Sequence, residues 1–443
     1  MAVAVVVGGG FSGVVAAREL VRTGWSVIMV DPQARPGRGV AYSTAARWHL
    51  LNSPVSAMSV DPDRPEDFLE WCRRRDPHTE GSDFVARGWY GDYLTEALRA
   101  VDEVAPGKLT VHRGTVSRIF EASHAGLTVL LTDGVVLTAD AVVLAVGNPA
   151  PRHPIAAGDD VRRLSAYIHD PWQEDVLAGV ADGPVLLIGT GLTAVDVALS
   201  LADREITAVS RHGLLPRAHA PSVRREVAPP PATSVATLLH WVRAQAATTG
   251  DWRGVMDGLR PHWDRMWRRL PEHEQRRFLR HVARYWEVHR HRMAPQVAAS
   301  IQARRRDRSF RVRAGEVCGL RPLPDGRIEA VIRGHGGIDT KAYAAVINCT
   351  GPGRLTDRDP LVRSLVADGL AAPGPHELGL AVDEHGTVSG RSHRAPALFA
   401  LGSARRGRLW ETTAAPEIRE QARALALHLL TMGIDRESAD QTR

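Results

Sequence analysis

The chain has 443 residues, 44% of them hydrophobic, which is enough for roughly three domain-sized units with packed cores. Its net charge is +6, but the cations are almost all arginine, are spread along the sequence and are balanced by 50 acidic residues. Because this distribution comes without a recognisable nucleic-acid-binding module, we expect no DNA or RNA partner. The apolar runs are shorter than the ~20 residues that cross a bilayer, so we expect no membrane partner.

The cysteines are few and far apart. Cys72, Cys318 and Cys349 form no C-x-x-C pair, which argues against a disulfide framework and against a structural metal site. The first residues are apolar rather than basic, so they do not resemble a signal peptide. Arginine in place of lysine is typical of a GC-rich bacterial genome. We therefore expect a cytoplasmic bacterial protein.

The chain begins with an apolar strand, residues 2–7, that leads into a glycine turn and then into a helical pattern. In such a turn Gly8 permits the tight bend, Gly10 lets the backbone approach a pyrophosphate, and Gly13 lets the helix pack against the strand. A second apolar strand ends at Asp31, which follows Gly13 by 18 residues, where an acid binds a ribose hydroxyl. Strand, turn, helix, strand and acid in this order predict a dinucleotide site.

The same arrangement recurs at residues 185–210. Gly189 and Gly191 form the second turn, Thr193 follows them, and alanine replaces the third glycine, which the fingerprint allows. The next strand ends at Ser210 and Arg211 instead of an acid. Because an arginine here suits the 2′-phosphate of NADP and an acid suits NAD, the sequence favours NADPH.

Three further apolar runs end in glycine, at Gly147, Gly351 and Gly402, which leaves room for a ligand at the carboxyl ends of buried strands. The loops after the first unit contain Asn52 and Met58, which we expect to contact a flavin; simple loop capping is the alternative. Residues 109–119 are predicted to form one strand, in which backbone groups near Val116 face an adenine.

Near the end of the chain, a helix is predicted with Pro416 in its first turn. Apolar residues from Ile418 to Leu429 recur at spacings of four, three and four, as on one helical face. Thr412 or Thr413 suits the cap of this helix. Its N-terminus is suited to stabilising negative charge on a reduced flavin.

A mainly helical insertion, residues 232–304, follows three consecutive prolines after the second turn. It contains five tryptophans, and Trp263 and Trp267 lie four residues apart, on one helix face. Two interpretations stay open: the tryptophans anchor the insertion by packing, or they form an aromatic wall of a substrate pocket.

Together these segments resemble the two-dinucleotide-binding-domain flavoproteins, and within them a bacterial FAD/NAD(P)-binding oxidoreductase group related to flavin-dependent monooxygenases. The resemblance rests on Gly8-x-Gly10-x-Ser12-Gly13, on 37–43, on 49–52, on 189–193 and on the segment Trp410 to Arg419, and it spans nearly the whole chain. It implies FAD in the outer domain, NAD(P)H in the inner domain and reaction at their interface.

Some flavin monooxygenases carry an F-x-G-x-x-x-H fingerprint before the second glycine turn. Here the corresponding stretch runs from Leu164 to Trp172 and contains His169, but the phenylalanine and the glycine are absent. From the resemblance we expect His169 to position nicotinamide; an ordinary loop histidine is the alternative. Trp410 and Thr412 are expected to line the flavin.

The expected fold class is α/β, with two Rossmann-like dinucleotide-binding domains and a mainly helical insertion in the second. We expect residues 1–150 and 345–443 to form the FAD domain and 151–344 to form the NAD(P)H domain. The predicted cofactor contacts are Gly8, Gly10, Ser12, Gly13, Asp31, Asn52, Met58, Val116, Gly147, Gly189, Gly191, Thr193, Ser210, Arg211, Gly402 and Thr413.

The resulting hypothesis is an NADPH-dependent monooxygenase that binds FAD and transfers oxygen from a C4a-hydroperoxyflavin to a small organic substrate such as an amine. Its partners would be that substrate and O₂, with the cofactor supplying the chemistry. One alternative is an NAD(P)H–flavin oxidoreductase or oxidase without oxygen insertion. Another is a redox sensor that binds FAD without turnover.

Overall fold

The structure is a computed structural model that describes residues 2–122, 126–154, 156–391 and 397–440. Its strands are β1 Val3–Val7, β2 Ser26–Asp31, β3 Leu109–Arg113, β4 Val116–Glu121, β5 Leu127–Leu131, β6 Val136–Ala139, β7 Ala141–Leu144, β8 Tyr167–Ile168, β9 Val185–Ile188, β10 Ile206–Ser210, β11 Phe310–Pro322, β12 Ile328–Gly334, β13 Gly337–Tyr343, β14 Ala345–Asn348 and β15 Leu398–Ala400.

Its helices are α1 Phe11–Arg22, α2 Gly39–Tyr42, α3 Asp67–Arg73, α4 Arg87–Val104, α5 Asp159–Arg162, α6 Leu192–Ser200, α7 Val235–Thr249, α8 Trp252–Gly258, α9 Trp263–Arg269, α10 Glu272–His281, α11 Ala283–Arg290, α12 Pro295–Arg306, α13 Leu355–Arg358, α14 Pro360–Ala367 and α15 Ala415–Asp440. Short 3₁₀ turns occur at Val55–Ala57, Arg260–His262, Pro375–Glu377 and Gly402–Arg405. No helix in the described ranges is long and apolar enough to cross a membrane.

The chain divides into two compact units. The first unit contains residues 1–45, 53–149 and 354–443, and the second contains residues 46–52 and 150–353. The boundary near 353 follows β14, which pairs with β9 and therefore belongs to the sheet of the second unit.

The first unit is built on a parallel sheet with the strand order β15-β7-β1-β2-β3. β1 lies at its centre, where Val5 pairs with Ile28 of β2 and with Val142 of β7. The nearly continuous apolar sequence of β1 suits a strand that is covered on both faces. Because the strands are parallel, the turns after β1, β2, β7 and β15 all lie at one edge of the sheet, and the predicted site residues Gly8, Asp31, Gly147 and Gly402 belong to them.

The first unit also contains a three-stranded antiparallel sheet, β4-β5-β6. The prediction of a single strand over residues 109–119 is wrong, because Gly114 and Thr115 separate two strands, β3 and β4. β3 pairs with β2 in the parallel sheet, whereas β4 turns into the antiparallel sheet and pairs with β5. Val116 is the first residue of β4, is buried, and pairs with Leu131.

The second unit contains a seven-stranded sheet in the order β13-β12-β11-β10-β9-β14-β8. Its strands from β11 to β8 are parallel, and β12 and β13 extend it as an antiparallel hairpin. β9 lies between β10 and β14 and is fully buried. The second glycine turn therefore leaves the sheet at its parallel core, as the first turn does in the first unit.

The insertion between β10 and β11 consists of α7 to α12 and their connections. Trp263 and Trp267 of α9 are both buried, and each ring meets another aromatic ring edge-on. The Trp263 ring lies 5.3 Å from that of Trp286, and the Trp267 ring lies 5.8 Å from that of Phe278. These contacts favour the interpretation that the tryptophans hold the insertion together by packing.

Trp263→Ala should lower the free energy of unfolding by about 3–5 kcal/mol, because it removes a buried aromatic side chain from a packed cluster. Urea denaturation followed by far-UV circular dichroism measures the change. Ile338→Ala is the matched control, since Ile338 is 69% exposed in the same unit, and it should change stability by less than about 0.5 kcal/mol. Equal stability of Trp263→Ala and the unaltered protein would contradict the packing interpretation.

Candidate nucleotide-binding sites

In the first glycine turn, between β1 and α1, backbone segments approach one another so closely that a side chain would not fit. A Cβ atom on Gly13 would lie 1.9 Å from the carbonyl oxygen of Gly8, and one on Gly8 would lie 2.4 Å from that of Ala145. Gly8 also has a φ of +105°, which L side chains rarely adopt. At Gly10 a Cβ would meet nothing nearer than Gly39 Cα, at 3.5 Å. The fold therefore does not require glycine at this position, and the absence of a side chain leaves open space beside the backbone.

Asp31 lies beside this turn, as the sequence predicts. Its Oδ2 accepts a hydrogen bond from the Gly9 N–H at 2.5 Å, and its Oδ1 accepts one from the Gln33 N–H at 2.8 Å. The carboxylate is buried and links the loop after β1 to the loop after β2. Each oxygen retains a lone pair for a further donor, such as a ribose hydroxyl. Gly9, which sequence reasoning missed, is required here because a Cβ would contact Asp31 Cβ at 2.9 Å.

The N-terminus of α1 is suited to an anion. Gly10 is its cap residue and brings no side-chain acceptor, and the first turn contains no acidic residue. The first amide N–H groups and the positive end of the helix dipole are therefore available to a phosphate. Ser12 lies in this turn, and a Cβ on Gly402 would lie 3.0 Å from its Oγ. Ser12 and Gly402, both predicted cofactor contacts, are thus neighbours.

The segment before α15 is more buried than the sequence indicates. Thr412 is 1% exposed, and its hydroxyl has no hydrogen-bond partner among the described residues. Trp410 is also buried, and the guanidinium carbon of Arg406 lies 4.8 Å from the centre of its ring. A buried hydroxyl without a partner is costly, so a polar atom of a bound ligand would stabilise Thr412.

The prediction that Thr412 or Thr413 caps this helix is wrong. α15 begins at Ala415, and the Ile418 N–H donates to the carbonyl of Ala414, which occupies the cap position. Thr413 precedes the cap and is exposed.

Two further predicted contacts, Gly147 and Met58, also lie in the first unit. Gly147 has a φ of +70°, and its carbonyl accepts a hydrogen bond from the Ser403 hydroxyl, which joins the loops after β7 and β15. Met58 ends the first 3₁₀ turn and is buried. The roles of Gly147, Met58 and Val116 toward a cofactor stay predictions.

The second turn repeats the geometry of the first. Gly189 has a φ of +120°, and a Cβ there would lie 2.2 Å from the carbonyl oxygen of Cys349, at the end of β14. A Cβ on Gly191 would meet no atom within 4 Å. Gly191 also caps α6, whose first turn contains Thr193 and no acidic residue. Backbone N–H groups are again available to a phosphate.

Neutral hydroxyls hold the loop at the second turn. Thr190, which sequence reasoning missed, donates to the carbonyl of Leu214 at 2.6 Å and accepts from the Ser210 hydroxyl at 2.8 Å. Ser210 Oγ in turn accepts from the Gly213 N–H at 3.1 Å. Ser210 therefore takes the position that Asp31 has in the first turn, but without a negative charge.

A group of positive side chains lies just beyond Ser210. Arg211 is exposed, and α11 brings Arg284 close to it and to His212. Burial lowers the pKa of Arg284, and the charge of Arg211 lowers it further. Within the part of the chain that the structure describes, neither arginine forms an ion pair. Arg284 comes from the insertion, so only the fold brings it to this place.

The remaining predicted residues, Asn52 and His169, lie in the second unit. The Asn52 carbonyl accepts a hydrogen bond from His219 Nε2 at 3.0 Å. His169 directly follows β8, at the same edge of the sheet as the second turn, and its ring stacks on His153 with centroids 3.7 Å apart. Their roles toward flavin and nicotinamide stay predictions. Among the described side chains, no three His, Cys, Asp or Glu residues are grouped as metal ligands.

Part of the chain matches a known family model. Residues 5–149 match the FAD-NAD(P)-binding family model. No curated protein matches the sequence significantly.

Solved structures are similar over almost the whole chain. The ornithine hydroxylase of Pseudomonas aeruginosa has 18% identity, covers 97% of this chain and 99% of its own, and gives a TM-score of 0.66. The L-lysine 6-monooxygenase of Pseudomonas syringae has 15% identity, with 96% and 98% covered and a TM-score of 0.66. The ornithine N-hydroxylase of Kutzneria sp. 744, solved with reduced FAD, NADP⁺ and L-ornithine, has 13% identity, with 98% and 99% covered and a TM-score of 0.64. The predicted fold class is confirmed, and so is the resemblance to two-dinucleotide-domain flavoproteins at the level of the fold.

Two substitutions in the first turn should have different consequences. Gly13→Ala should destabilise the fold, because its Cβ would overlap the Gly8 carbonyl. Gly10→Ala has room for its Cβ and a φ of −75°, so it should fold normally but bind FAD at least about tenfold more weakly, since the methyl group lies where a pyrophosphate approaches. Thermal unfolding and the flavin content of purified protein separate the two effects. Full flavin content in a stable Gly10→Ala protein would contradict the placement of the pyrophosphate.

Proposed function

We propose that the protein is an FAD-dependent, NADPH-using monooxygenase that hydroxylates the nitrogen of a small primary amine. The observation that carries the proposal is the pair of glycine turns, each with a neutral, uncapped helix N-terminus at the carboxyl edge of a parallel sheet. The structural relatives act on ornithine and lysine, which supports an amine as the substrate class.

The first unit fits FAD. Gly8, Gly10 and Gly13 form the turn for its pyrophosphate, and Asp31 has lone pairs for the adenosine ribose. The Thr412 hydroxyl, which has no hydrogen-bond partner among the described residues, is an independent sign of a ligand, because a buried hydroxyl is rarely left unpaired. Trp410, two residues earlier in the chain, is also buried. When bound, FAD would accept hydride from NADPH and react with O₂.

The second unit fits NADPH. Gly189 and Gly191 form the turn for its pyrophosphate. Beyond Ser210, Arg211 and Arg284 present two positive charges that form no ion pair with any described carboxylate, and a 2′-phosphate would balance them. NADH lacks this phosphate, so the site should discriminate against it.

The side chains of this protein have the tasks of binding, orientation and exclusion of water. A flavin monooxygenase needs no protein nucleophile or paired carboxylates, because the cofactor supplies the chemistry. Burial of Trp410 and Thr412 keeps their surroundings dry, which slows loss of activated oxygen as hydrogen peroxide. His169 remains the candidate for positioning nicotinamide.

The function is tested by following NADPH and product together. Anaerobic protein should lose its yellow colour with NADPH, and mixing with air should give a transient absorbance between the reduced and oxidised flavin bands. With a panel that includes L-ornithine and L-lysine, a substrate amine should yield hydroxylated product in an amount equal to the NADPH consumed. If every amine leaves only hydrogen peroxide, the protein is an oxidase. If NADPH does not bleach the flavin, an FAD-binding redox sensor is the better assignment.

The cofactor preference should depend on both arginines. Arg211→Gln and Arg284→Gln should each raise the KM for NADPH about tenfold or more, because each removes a charged contact to the phosphate. The KM for NADH should stay the same, since NADH lacks that phosphate. Arg280→Gln, an exposed arginine on α10, is the matched control and should change neither constant. Equal effects of Arg284→Gln on both nucleotides would exclude a 2′-phosphate contact.

A further inference from the structure

A cavity of about 410 Å³ lies in the second unit, between α12 and the loop that follows β10. Its volume is within the range of small-molecule sites, roughly 300–1,000 Å³. Most of its lining residues are apolar, and five of these are buried: Pro216, Val288, Met293, Ala298 and Ile301.

Backbone hydrogen bonds hold the cavity open. The Arg217 N–H donates to the Val288 carbonyl, and the Met293 N–H donates to the Arg217 carbonyl, both at 2.8 Å. The His219 N–H donates to the Met293 carbonyl, also at 2.8 Å. These bonds connect the loop after β10 to the insertion near Val288 and Met293. The cavity is therefore formed without a bound ligand.

Three arginines line the cavity, and no carboxylate does. Arg253 of α8 is fixed, since its Nε and Nη2 donate to the Ala218 carbonyl at 3.0 and 2.8 Å. Arg217 and Arg305 come from the loop and from α12, and neither forms a side-chain hydrogen bond or ion pair within the described residues. Burial lowers the pKa of Arg253 and the charges of Arg292 and Arg217 lower it further, whereas the charges of Asp251 and Asp257 oppose this shift. An anion in the cavity would reduce the repulsion among its arginines.

We propose that the cavity binds a small organic carboxylate with an aliphatic chain. The carboxylate would lie between Arg217 and Arg305, whose planar guanidinium groups suit it, and the chain would cover Met293 and Ile301. Among the residues of the second glycine turn and its cations, none of Gly189, Gly191, Ser210, Arg211 or Arg284 lines the cavity. The cavity adjoins the loop of the second turn, because Gly213 and Leu214 line it and also hydrogen-bond to Ser210 and Thr190. The proposed carboxylate position, between Arg217 and Arg305, includes none of the residues assigned to NADPH, and the proposal does not rest on the proposed function.

The first test is isothermal titration calorimetry of the full-length protein with hexanoate. Hexan-1-ol and hexylamine are the controls, because they keep the chain and remove or reverse the charge. Hexanoate should bind at least about tenfold more tightly than either control, since a charged hydrogen bond contributes that much. Affinity for hexanoate no higher than for hexan-1-ol would overturn the proposal.

The second test locates the site. Arg217→Gln and Arg305→Gln should each weaken hexanoate binding about tenfold. Arg306→Gln is the matched control, because Arg306 is the next residue of α12, is exposed and does not line the cavity; its affinity should equal that of the unaltered protein. All three residues are exposed, so the variants should fold. Unchanged affinity in Arg305→Gln and Arg217→Gln would overturn the assignment to this cavity.

Saturating NADP⁺ distinguishes this cavity from an extension of the nucleotide site. The affinity for hexanoate should stay within about twofold when NADP⁺ is bound, because the two ligands contact different residues. Competitive displacement of hexanoate by NADP⁺ would overturn the separation of the two sites.

Discussion

Close approach of one backbone to another is the constraint on which both candidate sites depend. At Gly13 a Cβ would lie 1.9 Å from the Gly8 carbonyl oxygen, so α1 can approach the first turn only without a side chain there. At Gly189 a Cβ would lie 2.2 Å from the Cys349 carbonyl oxygen, so the second turn can pass the end of β14 only as glycine. The two turns set the N-termini of α1 and α6 at the carboxyl edges of their sheets. The proposed phosphate sites rest on the backbone N–H groups and the helix dipole at these two N-termini.

The parallel sheets bring each glycine turn together with the other loops that form its site. Since every strand of a parallel sheet ends at the same edge, residues far apart in sequence meet there. In the first unit, Ser403 donates to the carbonyl of Gly147, and Gly402 lies against Ser12. In the second unit, the Gly189 turn lies against the end of β14 at Cys349. No single segment of the sequence contains either site.

The sequence predicted those features that are encoded within one short segment. The glycine turns and the position of Asp31 depend on fixed spacing, so they were found. The break at Gly114 was missed, although a glycine inside a strand pattern often marks a bend, because the pattern does not tell where a strand leaves one sheet for another. Arg284 was missed because it lies more than seventy residues after Arg211, and only the folding of the insertion brings it there. The cavity beside α12 was missed for the same reason.

The two turns also differ in how the loop is held, and the difference bears on the cofactor. In the first turn the Asp31 carboxylate accepts from two backbone N–H groups, so a negatively charged side chain holds this loop. In the second turn the hydroxyls of Thr190 and Ser210 hold the loop without any charge. A carboxylate there would repel a 2′-phosphate, and its absence leaves the field of Arg211 and Arg284 uncompensated. The proposed preference for NADPH therefore rests on the loop that holds the second turn as well as on the two arginines.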